Sequence, residues 1–172
     1  MLDCETTKGK EAITKELDVK DILAKKLNIK ITRPEDKTSH DDGTIYRNGK
    51  LHGVCEIKTR TYWNRDAKTP FTLEKFTSDP EGYLITGWKL KWLKERSIKE
   101  KIYSYIFLNI PHDKCIVKFR VTDTTGRFYI DYNVQNTQTY YSVNDYKGKT
   151  RRENAFIPHK GNEEHIEVIK YG

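Results

Sequence analysis

The chain has 172 residues, of which 35% are hydrophobic and 33% charged, and its three Trp, eleven Tyr and six Phe residues are too many for a disordered chain. This length suits one domain, 1–172, and since no apolar run reaches the ~18 residues of a membrane span, we expect a cytoplasmic protein without membrane contact. The net charge of +7 favours a polyanionic partner such as nucleic acid, and the widely spaced Cys4, Cys55 and Cys115 are expected to be free thiols rather than zinc ligands.

A first helix is predicted from Lys10 to Leu27, because apolar residues recur on one face at ~100° per residue. Glu16 lies at the edge of this face, where it either looks toward a site on the sheet or forms a solvated i,i+4 pair with Lys20. Lys20 also lies near the apolar stripe, which favours a break around Asp18. The residues of the apolar face are Ile13, Leu17, Ala24 and Leu27.

A short strand (28–33) and a polar loop (34–41) follow, and then a predicted hairpin. Its turn is Asn48-Gly49, the dipeptide that most strongly signals a two-residue hairpin. Side chains alternate along a strand, so Glu56 and Lys58 project from the same face of the second hairpin strand. The hairpin brings the segment after Asp42 back alongside Glu56. The residues of the opposite, core-facing side are Cys55, Ile57 and Thr59.

Asp42 and Glu56 are therefore two carboxylates that the hairpin places close together. Such a pair is best tolerated with a divalent cation between its members, and oxygen ligands of this kind suit Mg²⁺ or Mn²⁺. Lys58 beside that ion can orient or help to deprotonate an attacking water and offset charge on a phosphate. These residues indicate phosphodiester hydrolysis. A Glu-x-Lys triplet is also common as a solvated cross-strand ion pair on a sheet surface.

Asp42, Glu56 and Lys58 resemble the three motif positions of the PD-(D/E)XK nuclease superfamily. Thirteen residues separate Asp42 from Glu56, a gap that suits one short hairpin, and the string from Glu56 to Arg60 looks like the second half of the motif in phage-type and recombination-type members. No Pro directly precedes Asp42, and Asp36 and Asp41 compete for the place of first ligand. Asp42 is favoured because the following Gly43 permits a tight turn and close backbone approach to a metal or phosphate.

The resemblance implies a restriction-endonuclease-like fold, with a mixed central sheet flanked by helices over roughly residues 10–110. It also implies Mg²⁺ or Mn²⁺ held by Asp42, Glu56 and the Ile57 carbonyl, with Lys58 orienting the water and Glu16 as an outer-shell contact. Many relatives act as dimers, so a homodimer with two sites on two strands is a further expectation.

Residues 61–82 show no clear period and are predicted to form a loop or irregular insertion. Its aromatic and basic side chains could stack on bases or hold phosphates, whereas Trp63 is equally well explained as a core residue. The candidates for nucleic-acid contact in and beside this segment are Arg60, Tyr62, Trp63, Arg65 and Lys68.

A second helix is predicted from Trp88 to Lys101, with one face formed by Leu90, Leu93 and Ser97 that covers the sheet. The opposite side carries Trp88 and Trp92, and we expect it to be partly open, either as a solvated face or as a surface for DNA or a second subunit. The basic residues expected there are Lys89, Lys91, Lys94, Arg96 and Lys99.

The remainder of the chain, 111–172, is predicted to be a β-rich antiparallel extension. Apolar or alternating patterns indicate strands at 103–110, 115–121 and 128–134, with a turn at 124–126 and a late strand at 165–169. Lys149, Arg151 and Arg152 form either a phosphate contact or a flexible basic loop.

The sequence thus predicts an α/β domain that acts as a Mg²⁺- or Mn²⁺-dependent deoxyribonuclease, most simply an endonuclease, with His40 as an additional candidate contact. Two other functions compete with it. One is a binding module that keeps the fold without catalysis. The other is an RNA-binding or structural protein, which requires Glu56 and Lys58 to lie on an open, convex face.

Overall fold

The computed structural model describes residues 7–34, 40–63, 68–140 and 149–172. Within these ranges the chain forms three α-helices and nine strands. The helices are α1 Thr7–Leu27, α2 Leu73–Ser78 and α3 Gly87–Glu100, and the strands are β1 Lys30–Thr32, β2 Gly43–Arg47, β3 Lys50–Thr59, β4 Tyr83–Thr86, β5 Tyr103–Ile110, β6 Cys115–Thr122, β7 Asn133–Tyr140, β8 Lys149–Ile157 and β9 Ile166–Lys170.

A six-stranded mixed sheet occupies the centre, in the order β1-β2-β3-β5-β6-β9. Only β3 and β5 pair in parallel, with Glu56 beside Ile106 and Lys58 beside Leu108. The other neighbours are antiparallel. The predicted α/β class with a mixed central sheet is confirmed.

The hairpin between β2 and β3 turns at Asn48-Gly49, as predicted. Both residues have positive φ, 51° and 74°, which is the conformation that a type I′ turn requires and that Asn and Gly adopt at low cost. The register pairs Gly43 with Cys55. Asp42 therefore immediately precedes the paired part of the hairpin, next to the centre of β3.

The two faces of the sheet are covered by different helices. Leu90 and Leu93 of α3 pack on the face that includes Val54, and Val19 and Leu23 of α1 pack on the other face. Cys55 and Ile57 belong to the α1 side, together with Phe107 of β5. The alternation predicted along β3 is thus present, but both of its faces are covered, so Glu56 is buried as completely as its apolar neighbours.

The first helix uses a different face from the predicted one. Val19 and Leu23 are fully buried, whereas Leu17, assigned to the apolar face, is 46% exposed. The helix also continues through Asp18 without a break. A mostly polar helix offers more than one short apolar stripe, and the position of the sheet selects which stripe is buried.

A second, three-stranded antiparallel sheet, β4-β8-β7, packs beside α3. The predicted strand 128–134 is wrong over most of its length, because only Phe128 forms an isolated bridge, to Thr122, and β7 begins at Asn133. The side chain of Asn162 explains the interruption, because it accepts the Asp131 N–H at 2.7 Å and donates to the Asp131 carbonyl at 2.8 Å, in the place of a neighbouring strand. The late strand β9 is the neighbour of β6 at the edge of the central sheet.

Two further segments differ from the expectations. Residues 61–82 contain the short helix α2, whose N-terminus is capped by the Thr72 hydroxyl accepting the Lys75 N–H at 3.1 Å. The basic residues 149–152 begin strand β8 rather than forming a loop. No helix in the described ranges has the length and apolar character needed to cross a membrane.

Candidate active site

Asp42, Glu56 and Lys58 meet at the junction of β2 and β3. The Lys58 ammonium lies 2.6 Å from Oε1 of Glu56 and 3.7 Å from Oδ2 of Asp42. Lys58 is 35% exposed, while the Glu56 side chain is fully buried. One cation therefore bridges two carboxylates and is reachable from solvent.

The backbone of β3 fixes the orientation of Asp42. The Asp42 N–H donates to the Cys55 carbonyl at 2.9 Å, and the Ile57 N–H donates to Asp42 Oδ2 at 2.7 Å. Asp41 turns the other way and forms an ion pair with Arg96 of α3 at 2.7 Å. Of the two neighbouring aspartates, Asp42 is thus the one that faces Glu56, whereas the competing Asp36 lies outside the described residues.

Gly43 is also required by the packing of the sheet. A Cβ atom at this position would lie 2.5 Å from the Ile31 side chain and 3.4 Å from Cys55 Sγ. Because a contact of 2.5 Å is shorter than real Cβ contacts, the lack of a side chain at Gly43 allows β1 and β3 to pack closely on either side of β2. The residue serves the packing of the sheet directly behind Asp42.

Two lysines hold the backbone that presents Asp42. Lys20 of α1 is 6% exposed, and its ammonium donates to the Asp42 carbonyl at 2.7 Å. Lys89 of α3 donates to the His40 carbonyl. Both helices therefore anchor the short segment from His40 to Asp42, so the aspartate is pre-organised before any ligand binds.

Glu16 is connected to this region through Lys20. Its carboxylate binds the Lys20 ammonium at 2.6 Å, one helical turn away. The i,i+4 interpretation is therefore the one that the structure shows. Glu16 positions the lysine that holds the Asp42 carbonyl, and its predicted outer-shell role would be exerted by that route.

Glu56 has a second cationic partner that the sequence did not indicate. Lys89 Nζ lies 2.8 Å from Glu56 Oε2, so each carboxylate oxygen contacts one ammonium group. Burial raises the pKa of Glu56, and the charges of Lys58 and Lys89 offset part of that effect. Lys89 was expected on a partly open face, but it directly precedes Leu90, whose burial turns this part of α3 toward the sheet.

Lys58 is an ammonium ion at neutral pH. Burial alone would lower its pKa, but the nearby carboxylates of Glu56 and Asp42 outweigh burial and raise it. Lys58 thus contacts the carboxyl groups of both Glu56 and Asp42, and Glu56 also contacts Lys89. Such a lysine can donate hydrogen bonds and stabilise negative charge.

The donor atoms present are compatible with a hard divalent cation. No third His, Cys, Asp or Glu in the described ranges joins Asp42 and Glu56 closely enough to make a group of three. Mg²⁺ commonly binds to one or two carboxylates and keeps several waters, so two carboxylates suffice. The lysine that bridges them at 2.6 and 3.7 Å shows that positive charge is stabilised between them.

Tyr83 lies beside the cluster and was not predicted. It is 2% exposed, stacks on Phe119, and its hydroxyl has no hydrogen-bond partner within the described part of the chain. Burial raises the pKa of this hydroxyl, although the charges of Arg60 and Lys58 act against the increase. The guanidinium of Arg60 lies 5.7 Å from the centre of the Tyr83 ring.

The candidates for nucleic-acid contact are dispersed. Trp63 stacks on Phe71 at 5.1 Å and packs against the core, which supports its interpretation as a core residue. Arg151 is exposed and Arg152 half-buried on β8, away from Asp42 in sequence and sheet. Arg65 and the side chain of Lys149 lie outside the described residues. His40 packs edge-on against Trp88 and Trp92, with ring centres 5.1 and 4.5 Å away.

Comparison of the chain with models of protein families, with curated proteins and with solved structures finds no match. The assignment of a function therefore rests on the geometry of this site.

Proposed function

We propose that the chain is a divalent-metal-dependent nuclease that hydrolyses phosphodiester bonds in DNA. The observation that carries the proposal is the bridging of two carboxylates, Asp42 and the fully buried Glu56, by the solvent-accessible ammonium of Lys58. The hairpin between Asp42 and Glu56, and helix α3 covering the sheet after β3, agree with the fold that the PD-(D/E)XK resemblance implies. The net charge of +7 suits a polyanionic substrate.

Each residue of the cluster has a separate task in this proposal. Asp42 and Glu56 would hold Mg²⁺ or Mn²⁺ with the Ile57 carbonyl, and the bound ion would supply Lewis-acid polarisation of the phosphate and a lowered pKa for water. Lys58 would donate to the attacking water or to a phosphate oxygen and stabilise the negative charge that develops there. The Ile57 N–H keeps the Asp42 carboxylate oriented, and Lys89 offsets part of the effect of burial on the pKa of Glu56.

A non-catalytic nucleic-acid-binding module is the second candidate, and Lys89 is the observation that favours it. With Lys58 and Lys89 on its two oxygens, Glu56 is neutralised without any metal. Binding of Mn²⁺ by the native protein separates the two candidates.

The third interpretation, a surface pair on an open face, requires an exposed Glu56, and the residue is fully buried.

The test is cleavage of supercoiled, linear and branched DNA in the presence of Mg²⁺, of Mn²⁺ or of EDTA. We expect cutting with either metal, none in EDTA, and a loss of at least a hundredfold in rate for Lys58→Ala, since one charged donor to a transition state is worth about that factor.

Lys118→Ala is the matched control. Lys118 also forms a Glu–Lys ion pair on the central sheet, with Glu167 at 2.7 Å, but that pair is at the far edge. Its cleavage rate should equal that of the native chain. DNA binding without cleavage under both metals would reject the nuclease and favour the binding module, and cleavage of RNA alone would reject DNA as the substrate.

A further inference from the structure

A cleft of about 1050 Å³ lies between α3 and the strands β1 and β2. Its walls include Lys30 and Arg33 on the sheet side and Arg96 and Lys99 on the helix side. Two aromatic residues, Tyr46 and Trp92, also line it. The cleft is larger than most small-molecule pockets and open to solvent, which suits a chain-like ligand.

One face of α3 connects this cleft to the candidate active site. Lys89, Trp92, Arg96 and Lys99 follow each other at intervals of three, four and three residues and therefore share one side of the helix. Lys89, at one end, contacts Glu56 at 2.8 Å, and the other three line the cleft. The row spans about 15 Å at 1.5 Å per residue. The segment from His40 to Asp42 packs on its Lys89, Trp92 and Arg96 side chains, so a ligand in the cleft lies next to the segment that presents Asp42.

The charge of the cleft favours an anion. Four cationic side chains line it, Lys30, Arg33, Arg96 and Lys99, against one acidic side chain, Glu100. Arg96 is engaged by Asp41 and Glu100 and so contributes mainly to the structure of the wall. Lys30, Arg33 and Lys99 are exposed. These three can approach phosphate groups at little cost in desolvation.

The aromatic residues indicate that the anion carries flat bases. Tyr46 and Trp92 are half-buried in the walls, and the His40 ring fixes Trp92 by an edge-on contact at 4.5 Å. Rigid aromatic faces beside a row of cations are the features with which proteins bind single-stranded nucleic acid. In a duplex the bases are stacked on each other, and their faces are not accessible to such side chains.

We propose that the cleft binds a single-stranded segment of the DNA substrate beside the segment that presents Asp42 to Glu56 and Lys58. This inference rests on the proposed function and specifies its substrate as DNA with an unpaired stretch next to the cleaved bond. Phosphates contact Lys30, Arg33 and Lys99, and bases stack on Trp92 and Tyr46.

The test is the fluorescence anisotropy of a labelled oligothymidine in EDTA, where cleavage does not occur. The double variant Arg33→Glu with Lys99→Glu should bind at least tenfold more weakly than the native chain, since phosphate contacts provide most of the affinity. The slope of the logarithm of the binding constant against the logarithm of the salt concentration should also become shallower by about 1.4. Each phosphate contact on a single strand contributes about 0.7 to this slope, and the variant removes two contacts. A duplex of equal length should bind the native chain less tightly than the single strand.

The control is Lys160→Glu with Lys170→Glu, which changes the net charge equally. Both lysines are exposed, and Lys170 lies in β9 at the opposite edge of the sheet from β1. Equal losses in the two double variants would overturn the proposal, because binding would then follow net charge alone. Tighter binding of the duplex would overturn it as well.

The two proposals fail in different ways. If the native chain cuts DNA but the Arg33 and Lys99 double variant still binds the oligonucleotide like the native chain, the cleft is not the binding site and the nuclease remains. If binding depends on the cleft but no metal supports cleavage, the single-strand site stands and the nuclease is rejected. All four substituted residues are exposed, and circular dichroism checks that each variant is folded.

Discussion

Two Glu–Lys ion pairs on the same central sheet have nearly the same length and very different surroundings. Glu56 and Lys58 are 2.6 Å apart, and Glu167 and Lys118 are 2.7 Å apart. Glu167 is 56% exposed and has one cationic partner, whereas Glu56 is fully buried and has two, with Asp42 close by. Distance alone therefore does not distinguish a surface pair from a candidate site, while burial and the number of charges in contact do.

The energetic meaning of the two pairs differs accordingly. An exposed pair such as Glu167–Lys118 contributes at most about 1 kcal/mol, because water already solvates both ions. Removal of a carboxylate from water costs several kcal/mol, and attraction to its cationic partners offsets only part of that cost. The pKa of Glu56 is raised, mainly by burial, which indicates that Lys58 and Lys89 offset the cost of burial only in part. Ionised groups that are costly to bury are characteristic of functional sites.

Removal of both cations from Glu56 should have the largest effect. In Lys58→Met with Lys89→Met, the buried carboxyl has to become protonated, and at pH 7 this costs about 3 kcal/mol for a group whose ordinary pKa is 4.5. The free energy of unfolding in urea should fall by at most that amount, because the raised pKa of Glu56 means that the native chain already bears part of this cost. The loss should shrink as the pH approaches 4.5, where protonation is no longer unfavourable.

The matched double variant is Lys118→Met with Lys160→Met, which removes one surface pair and one exposed lysine. Its free energy of unfolding should change by less than about 1 kcal/mol at any pH between 4 and 7. Equal losses in the two double variants would show that Glu56 is effectively solvated, contrary to its burial.

The pH dependence of stability should report the burial of the Glu56 carboxyl group. Because the pKa of Glu56 is raised in the folded state, the unfolded chain releases this proton at a lower pH than the folded chain. The stabilising contribution of Glu56 is complete below the unfolded value and is lost as the pH rises through the folded value. In EDTA, the stability of the native chain relative to Glu56→Gln should therefore decrease from pH 4 toward neutrality.

Glu167→Gln provides the comparison for that experiment. This variant removes the carboxylate of an exposed ion pair on the same sheet, and so it shows how much of any change comes from replacing a glutamate by glutamine. If the stability of the native chain relative to Glu56→Gln instead increases with pH, the favourable interactions of Glu56 with the two lysines exceed the cost of its burial.

The smallest expected effect concerns a buried hydroxyl beside the cluster. Tyr83 lacks a hydrogen-bond partner among the described residues, whereas the Tyr171 hydroxyl donates to Asn109 at 2.5 Å. Tyr83→Phe should therefore leave the free energy of unfolding unchanged or raise it by about 1 kcal/mol, and Tyr171→Phe should lower it by about 1 kcal/mol. Loss of stability in Tyr83→Phe would reveal a partner, such as a bound water, for its hydroxyl.

Local patterns in the sequence predicted the elements that local physics determines. Asn48-Gly49 specifies a turn through the φ values its residues adopt, and alternation along β3 assigns Glu56 and Lys58 to one face. The buried face of α3, Leu90, Leu93 and Ser97, also follows from helical periodicity and is observed. The second sheet was missed because β4 pairs with β8, more than sixty residues further along the chain, and no local signal specifies such a partner.

The sequence by itself determined that a carboxylate, a Glu-x-Lys strand and a hairpin occur in the right order to meet. Only the tertiary structure decided that Asp42 rather than Asp41 faces Glu56, because that choice depends on the Ile57 N–H on one side and Arg96 on the other. It also brought Lys89 to Glu56 and opened the basic cleft along α3. Both depend on how a helix packs across a sheet, and the periodicity of either element alone does not contain that information.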